Sequence, residues 1–228
     1  MMMILLFTVL FGPDKTDAYP LYVSGNPSSI QTFIRIMNSE LPADASVTAR
    51  LTDPLLKKYG ISFLSGNRGL QLTDREDRFL CAMQHLLGDS TKTFRLTLVE
   101  SNQQVLIGDG FNGILDMADI EKFNTGLSCE FTAGNVLLHE LYEQYYLQVV
   151  KKIRPGRISA VQLRRAHQGA LQKESILFNL LALKTKTDIM DNDRIYIEFT
   201  NRADSSRVSY NAYYDRGNVE SVEMNVAY

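Results

Sequence analysis

The chain has 228 residues, 45% of them apolar and 22% charged, with a formal net charge of −2. Such a chain is long enough to bury a sizeable core, and its near-neutral balance gives no electrostatic footing for a nucleic-acid partner. Its two cysteines, Cys81 and Cys129, make no disulfide framework and form no C-x-x-C, so both read as buried free thiols.

The apolar run Ile4–Phe11 has no preceding Lys or Arg and is too short to span a bilayer. It reads as a buried strand in preference to a signal peptide, and no transmembrane segment is expected. The three consecutive Met residues suggest a domain cut from something longer. Residues 1–228 otherwise read as a single domain, a C-terminal fragment if so cut.

"PLYVSGN" reads as a short strand. "PSSIQTFIRIMNSE" reads as a helix capped by Ser28 or Ser29, and "SVTARLTD" as a strand. Asp53-Pro54 opens a predicted short helix, followed by a strand and turn in "YGISFLSGNRGLQLT". "TDREDRFLCAMQHLLGD" carries a capping box, Thr73 with Glu76, and ends at Gly88. His85 falls in its last turn, where a charged imidazole suits the dipole. "KTFRLTLVESNQQVLIGDGF" predicts a β-hairpin turning at Ser101-Asn102. Asp109, Asp116 and Asp119 follow, without the order of a calcium-binding loop. The end of the chain alternates and predicts antiparallel strands with turns at residues 203–206 and 216–218. Helices and strands are segregated, which makes the class α+β: a central antiparallel helical hairpin packed with antiparallel β-strands.

That hairpin comprises a helix from about Thr132 to Ile153, the break "RPGR", and a helix from Ser159 to Leu183. On the first helix the stripe Val136, His139, Glu143, Tyr146, Val150 is apolar but for two ionisable groups. Glu140 stands at its edge, while Glu140, Gln144, Gln148 and Lys151 make a wet side. On the second helix His167 and Glu174 interrupt an apolar stripe, with Gly169 and Ala170 small enough to let another helix come close. With Gly156 as the fold point, Glu143 comes level with His167, and His139 with Glu174, to within about 3 Å at the helical rise. Buried ionisable groups must pair or bind metal. His139, Glu143, His167 and Glu174 therefore either form two hydrogen-bonded pairs or converge on a divalent ion. Nitrogen and oxygen donors suit zinc, and also manganese or iron.

"HELYE" followed by "AHQGALQKE" resembles the zincin metallopeptidases, and in particular the compact metallopeptidase domains of bacterial toxins and effectors. The likeness runs from Gly134 to Glu174. It implies a zinc peptidase acting on a protein or peptide, with His139 as first ligand and Glu140 as general base. Glu143 takes the second-ligand position, where the family has His, and His167 and Glu174 are candidates for the third. A carboxylate there makes the ion a weaker Lewis acid. Export as a bacterial effector goes with the same resemblance. The competing expectation is a non-enzymatic binding or structural module, its hairpin held by buried His–carboxylate pairs. Its Tyr-rich C-terminal strands would offer a surface to a protein partner.

Overall fold

The computed structural model describes residues 18–66, 71–124, 132–177, 180–181, 194–201 and 207–227. The strand expected at Ile4–Phe11, the turn at 203–206 and Cys129 lie outside them, while Cys81 is a free, exposed thiol.

Strand β1 (Leu21–Gly25) buries Leu21 and Val23 and leaves the residues between them half-exposed, so one face of its sheet is covered. Helix α1 (Pro27–Ser39) lays Ile30, Phe33, Ile36 and Met37 on that face. Its cap is Asn26, whose carboxamide oxygen accepts the Ser29 N–H at 2.8 Å; the expected Ser28 and Ser29 lie inside the helix. Strands β2 (Ser46–Asp53) and β3 (Lys58–Leu64) form a hairpin. No helix opens at Asp53-Pro54, because Asp53 Oδ1 accepts the N–H groups of Leu55 and Leu56 and closes a turn instead. Helix α2 (Asp74–Leu87) has the expected capping box and ends at Gly88.

Strand β4 (Phe94–Val99) alternates buried and exposed residues as expected, yet does not fold back on the segment after it. It pairs in parallel with β1 and with β6 (Ile114–Asp116), while β5 (Gly108–Asp109) pairs antiparallel with β6. Asp116 is the cause. Fully buried, it accepts the N–H groups of Ser101 and Asn102 and caps α3 (Met117–Glu121) through Ala118 and Asp119. The sheet order is β2-β3-β1-β4-β6-β5, which leaves β5 at one edge.

Helix α4 (Ala133–Tyr145) continues into a π-helical turn, Tyr146–Val150, before the chain reverses at Gly156 (φ 77°) into α5 (Ala160–Leu177). The expected extension of α5 to Leu183 is not realised: Leu180–Leu181 is strand β7 and pairs with β8 (Arg194–Asn201). Strands β8, β9 (Arg207–Asp215) and β10 (Asn218–Ala227) complete a second, antiparallel sheet of order β10-β9-β8-β7. Arg216 and Gly217, both at positive φ, make the expected turn. Ala212 and Val219 join the main core, and Asp119 accepts the Val219 N–H at 2.7 Å, tying the second sheet to α3. The class is α+β, with α4 and α5 as a helical hairpin between strands.

Candidate metal centre

Every residue of α4 except Glu140 is buried. A helix buried all round needs its N-terminal amides and its polar side chains satisfied from within the protein. Thr132 caps it, accepting the Gly134 N–H at 3.2 Å, and Asn135 completes a capping box. Arg75 of α2 locks this end in place. Its Nη2 donates to Glu40 Oε2 (2.7 Å), Asn135 Oδ1 (2.8 Å) and Thr132 Oγ1 (3.1 Å). Glu40, nearly buried, also accepts the Thr132 hydroxyl. Farther along, Gln144 is fully buried and donates to the Gly110 carbonyl at 2.8 Å, while Gln148 bonds both the N–H and the C=O of Arg95. Of the expected wet side, Gln144 and Gln148 thus form a seam against β4 and the 108–113 loop, while Lys151 is exposed as expected.

Three of the expected ligands meet. His139 Nε2 lies 2.9 Å from His167 Nδ1, His167 Nδ1 lies 3.3 Å from Glu143 Oε2, and His139 Nε2 lies 3.9 Å from the same oxygen. One ligand atom from each of the three lies within 4.8 Å of the others, close enough for one ion to be shared. The donor set therefore fits a divalent ion, with His139, Glu143 and His167 as its ligands. The side chains of His139 and Glu143 are 10% and 5% exposed and that of His167 is 45% exposed, so the site opens to solvent past His167.

The expected Glu143–His167 partnership is realised at 3.3 Å. His139, one turn before Glu143, meets the same imidazole at 2.9 Å. Glu174 follows His167 by two helical turns, about 10 Å along α5; its side chain lies outside the described residues. Close approach of α5 uses Ala166 and Ala170, both buried, whereas Gly169 faces open space.

Strand β5 and the residue after it carry a feature that the sequence shows only as "GDG". A Cβ on Gly108 would lie 2.9 Å from Glu140 Oε2. A Cβ on Gly110 would collide with Glu143 Oε1 and lie 2.5 Å from Leu163 Cδ1. Neither glycine has the positive φ that would demand glycine, so the fold uses the missing side chain itself. Both carboxylates of "HELYE" rest on this edge of the sheet. Asp109, between the two glycines, accepts the N–H groups of Phe111 and Asn112 and turns the chain back toward α4. Asp116 and Asp119 likewise spend their oxygens on backbone amides; burial pushes the Asp119 carboxyl above its usual range.

His85 sits against Tyr142 and Tyr145, with ring centroids 6.1 and 5.3 Å away. Partial burial, then Lys173 and Lys92, push its imidazole below the ordinary 6.5, so it favours the neutral form and not the expected charged one. No protein-family model, curated protein or solved structure matches this chain. Among the described residues no helix is long and apolar enough to cross a membrane.

Proposed function

We propose that the chain is a metal-dependent peptidase, with zinc held by His139, Glu143 and His167 and with Glu140 as general base. The observation that carries the proposal is that two imidazole nitrogens and one carboxylate oxygen lie 2.9–3.9 Å from one another, close enough to share one ion. Manganese or iron would meet the same donors. A bound ion would supply Lewis-acid polarisation and make water acidic enough to be a nucleophile near neutral pH.

The rest falls to the protein's own groups. His139 and Glu143, one turn apart on a rigid buried helix, and His167, from the neighbouring helix, fix the ligand geometry. Glu140 is the one residue of α4 that is not buried, and Gly108 supports its carboxylate. It takes the proton from the attacking water and returns it to the leaving amine. Substrate approaches past the half-exposed ring of His167. Glu174 is proposed as a supplementary ligand or as the group orienting an imidazole. The likeness of "HELYE" and "AHQGALQKE" to bacterial toxin and effector metallopeptidases supports a protein substrate and an exported effector.

A second reading rests on two contacts of one ring nitrogen. At 2.9 Å, His139 Nε2 and His167 Nδ1 also make an ordinary hydrogen bond, and His167 lies within reach of Glu143. A metal-free His167 Nδ1–H shared between His139 Nε2 and Glu143 Oε2 would then lock the hairpin in a non-enzymatic module. Zinc loading followed by digestion of a diverse peptide library, with wild type and Glu140→Gln, separates the two. The proposal expects Glu140→Gln to retain zinc and to lose cleavage by about 10²–10⁴-fold. A zinc-loaded wild type that cleaves nothing, or a Glu140→Gln variant that cleaves equally well, would refute peptidase chemistry.

A further inference from the structure

The far end of the β2–β3 hairpin has no buried residue from position 50 to 57. Leu55 is 94% exposed, Leu56 68% and Leu51 47%. Single exposed leucines are commonplace; two in succession at a hairpin tip, with a third beside them, are not. The turn that displays them is built. Asp53 Oδ1 accepts the Leu55 N–H at 3.0 Å and the Leu56 N–H at 3.1 Å, and Lys57 takes a positive φ of 45°. Hydrogen bonds therefore hold the leucines outward.

Cations stand directly behind them. Lys57 and Lys58 follow the leucines, and Lys58 Nζ lies 4.2 Å above the Tyr22 ring. A concavity of about 330 Å³ beside the tip is lined by Tyr22, Ser24, Leu56, Lys58 and Arg95. Among the described residues Lys57, Lys58 and Arg95 form no ion pair. Asp53 is the carboxylate within the turn, and one of its oxygens is already spent on two amides.

Apolar side chains at the extreme tip, a tyrosine behind them and cations free of ion pairs around it match the layers of a bilayer interface. Acyl chains take leucine, headgroups take the aromatic ring, and lipid phosphates and carboxylates take Lys and Arg. We propose that this hairpin tip docks the protein on an anionic membrane surface, with Leu55 and Leu56 inserted and Lys57, Lys58 and Arg95 on the headgroups. The proposal is independent of the metal centre.

The chain contains no tryptophan, so Leu55→Trp gives a single reporter without background. With vesicles of phosphatidylcholine and phosphatidylserine its emission should shift to the blue, and with phosphatidylcholine alone it should not. Wild type should sediment with the anionic vesicles and be released by salt. Leu55→Ser with Leu56→Ser should abolish sedimentation. Lys57→Ala with Lys58→Ala should weaken it about 25-fold, at about fivefold per basic residue near such a surface. These positions are exposed, and matching circular dichroism would confirm that each variant folds. Absence of a blue shift and of sedimentation with anionic vesicles, equal binding to both vesicle types, or undiminished binding by the double-serine variant would each overturn the proposal.

Discussion

Gly110→Ala places one methyl group where the structure has no room for it. The new Cβ would overlap Glu143 Oε1 and lie 2.5 Å from Leu163 Cδ1. Ordinary carbon contacts begin near 3.5 Å, so the carboxylate must retreat by about 1 Å. Ligand distances tolerate only about 0.2 Å, so such a retreat removes or reorients one of three ligands. Disturbing a group that orients a ligand typically lowers metal affinity 10–100-fold, and about that loss is expected here. The assay is competition for zinc against a chromophoric chelator. Two controls isolate the cause. Gly169→Ala, on the same helix as His167 but with nothing within 4 Å of its added Cβ, should leave affinity unchanged. It should also stabilise the helix, by about 0.5–1 kcal/mol. Gly110→Ala with Leu163→Ala relieves the apolar clash but not the one with the carboxylate, so affinity should stay low. If Gly110→Ala binds zinc like wild type, or if trimming Leu163 restores binding, Glu143 is not positioned through Gly110.

Two further outcomes follow from groups outside the ligand set. Arg75→Ala should cost about 2–3 kcal/mol in urea denaturation, because it strands the nearly buried Glu40 carboxylate; the 30% exposure of Arg75 keeps the loss at the lower end for a broken buried pair. A loss below about 0.5 kcal/mol, the range of ordinary surface substitutions, would show that the clamp on α4 is dispensable. His85, whose pKa is lowered from 6.5 in the folded protein, favours the native state fully above pH 6.5. That contribution is lost as pH falls through its folded value, because the unfolded chain takes up the proton first. An NMR titration of the imidazole should give a midpoint below 6.5, and His85→Gln should flatten the decline in stability between neutral and mildly acidic pH. A midpoint at or above 6.5 would contradict this.

What the sequence reveals here divides along physical lines. Period and caps place α2 and β4, where Thr73, Glu76, Gly88 and the alternation from Phe94 to Leu98 act locally. Helical spacing also brings His139 and Glu143 onto one face and points them at His167. Partners distant in the chain decide the rest. Ser101-Asn102 looks like a hairpin turn, but buried Asp116 captures its amides and β4 takes β6 and β1 as neighbours. Gln144 and Gln148 look solvated until Gly110 and Arg95 supply partners. The use of "GDG" emerges only when β5 is laid beside α4. The π-helical turn at Tyr146–Val150 is likewise not encoded in side-chain periodicity.

Metal content tests the central claim most directly. The protein would be purified without a histidine tag, offered zinc, stripped of excess and measured by elemental mass spectrometry beside His139→Ala and His167→Ala. The metal centre requires about one zinc per wild-type chain, bound by three protein ligands, and its loss from both folded variants. A folded wild type that holds no zinc would contradict it and leave His139, Glu143 and His167 as a hydrogen-bonded lock between two helices.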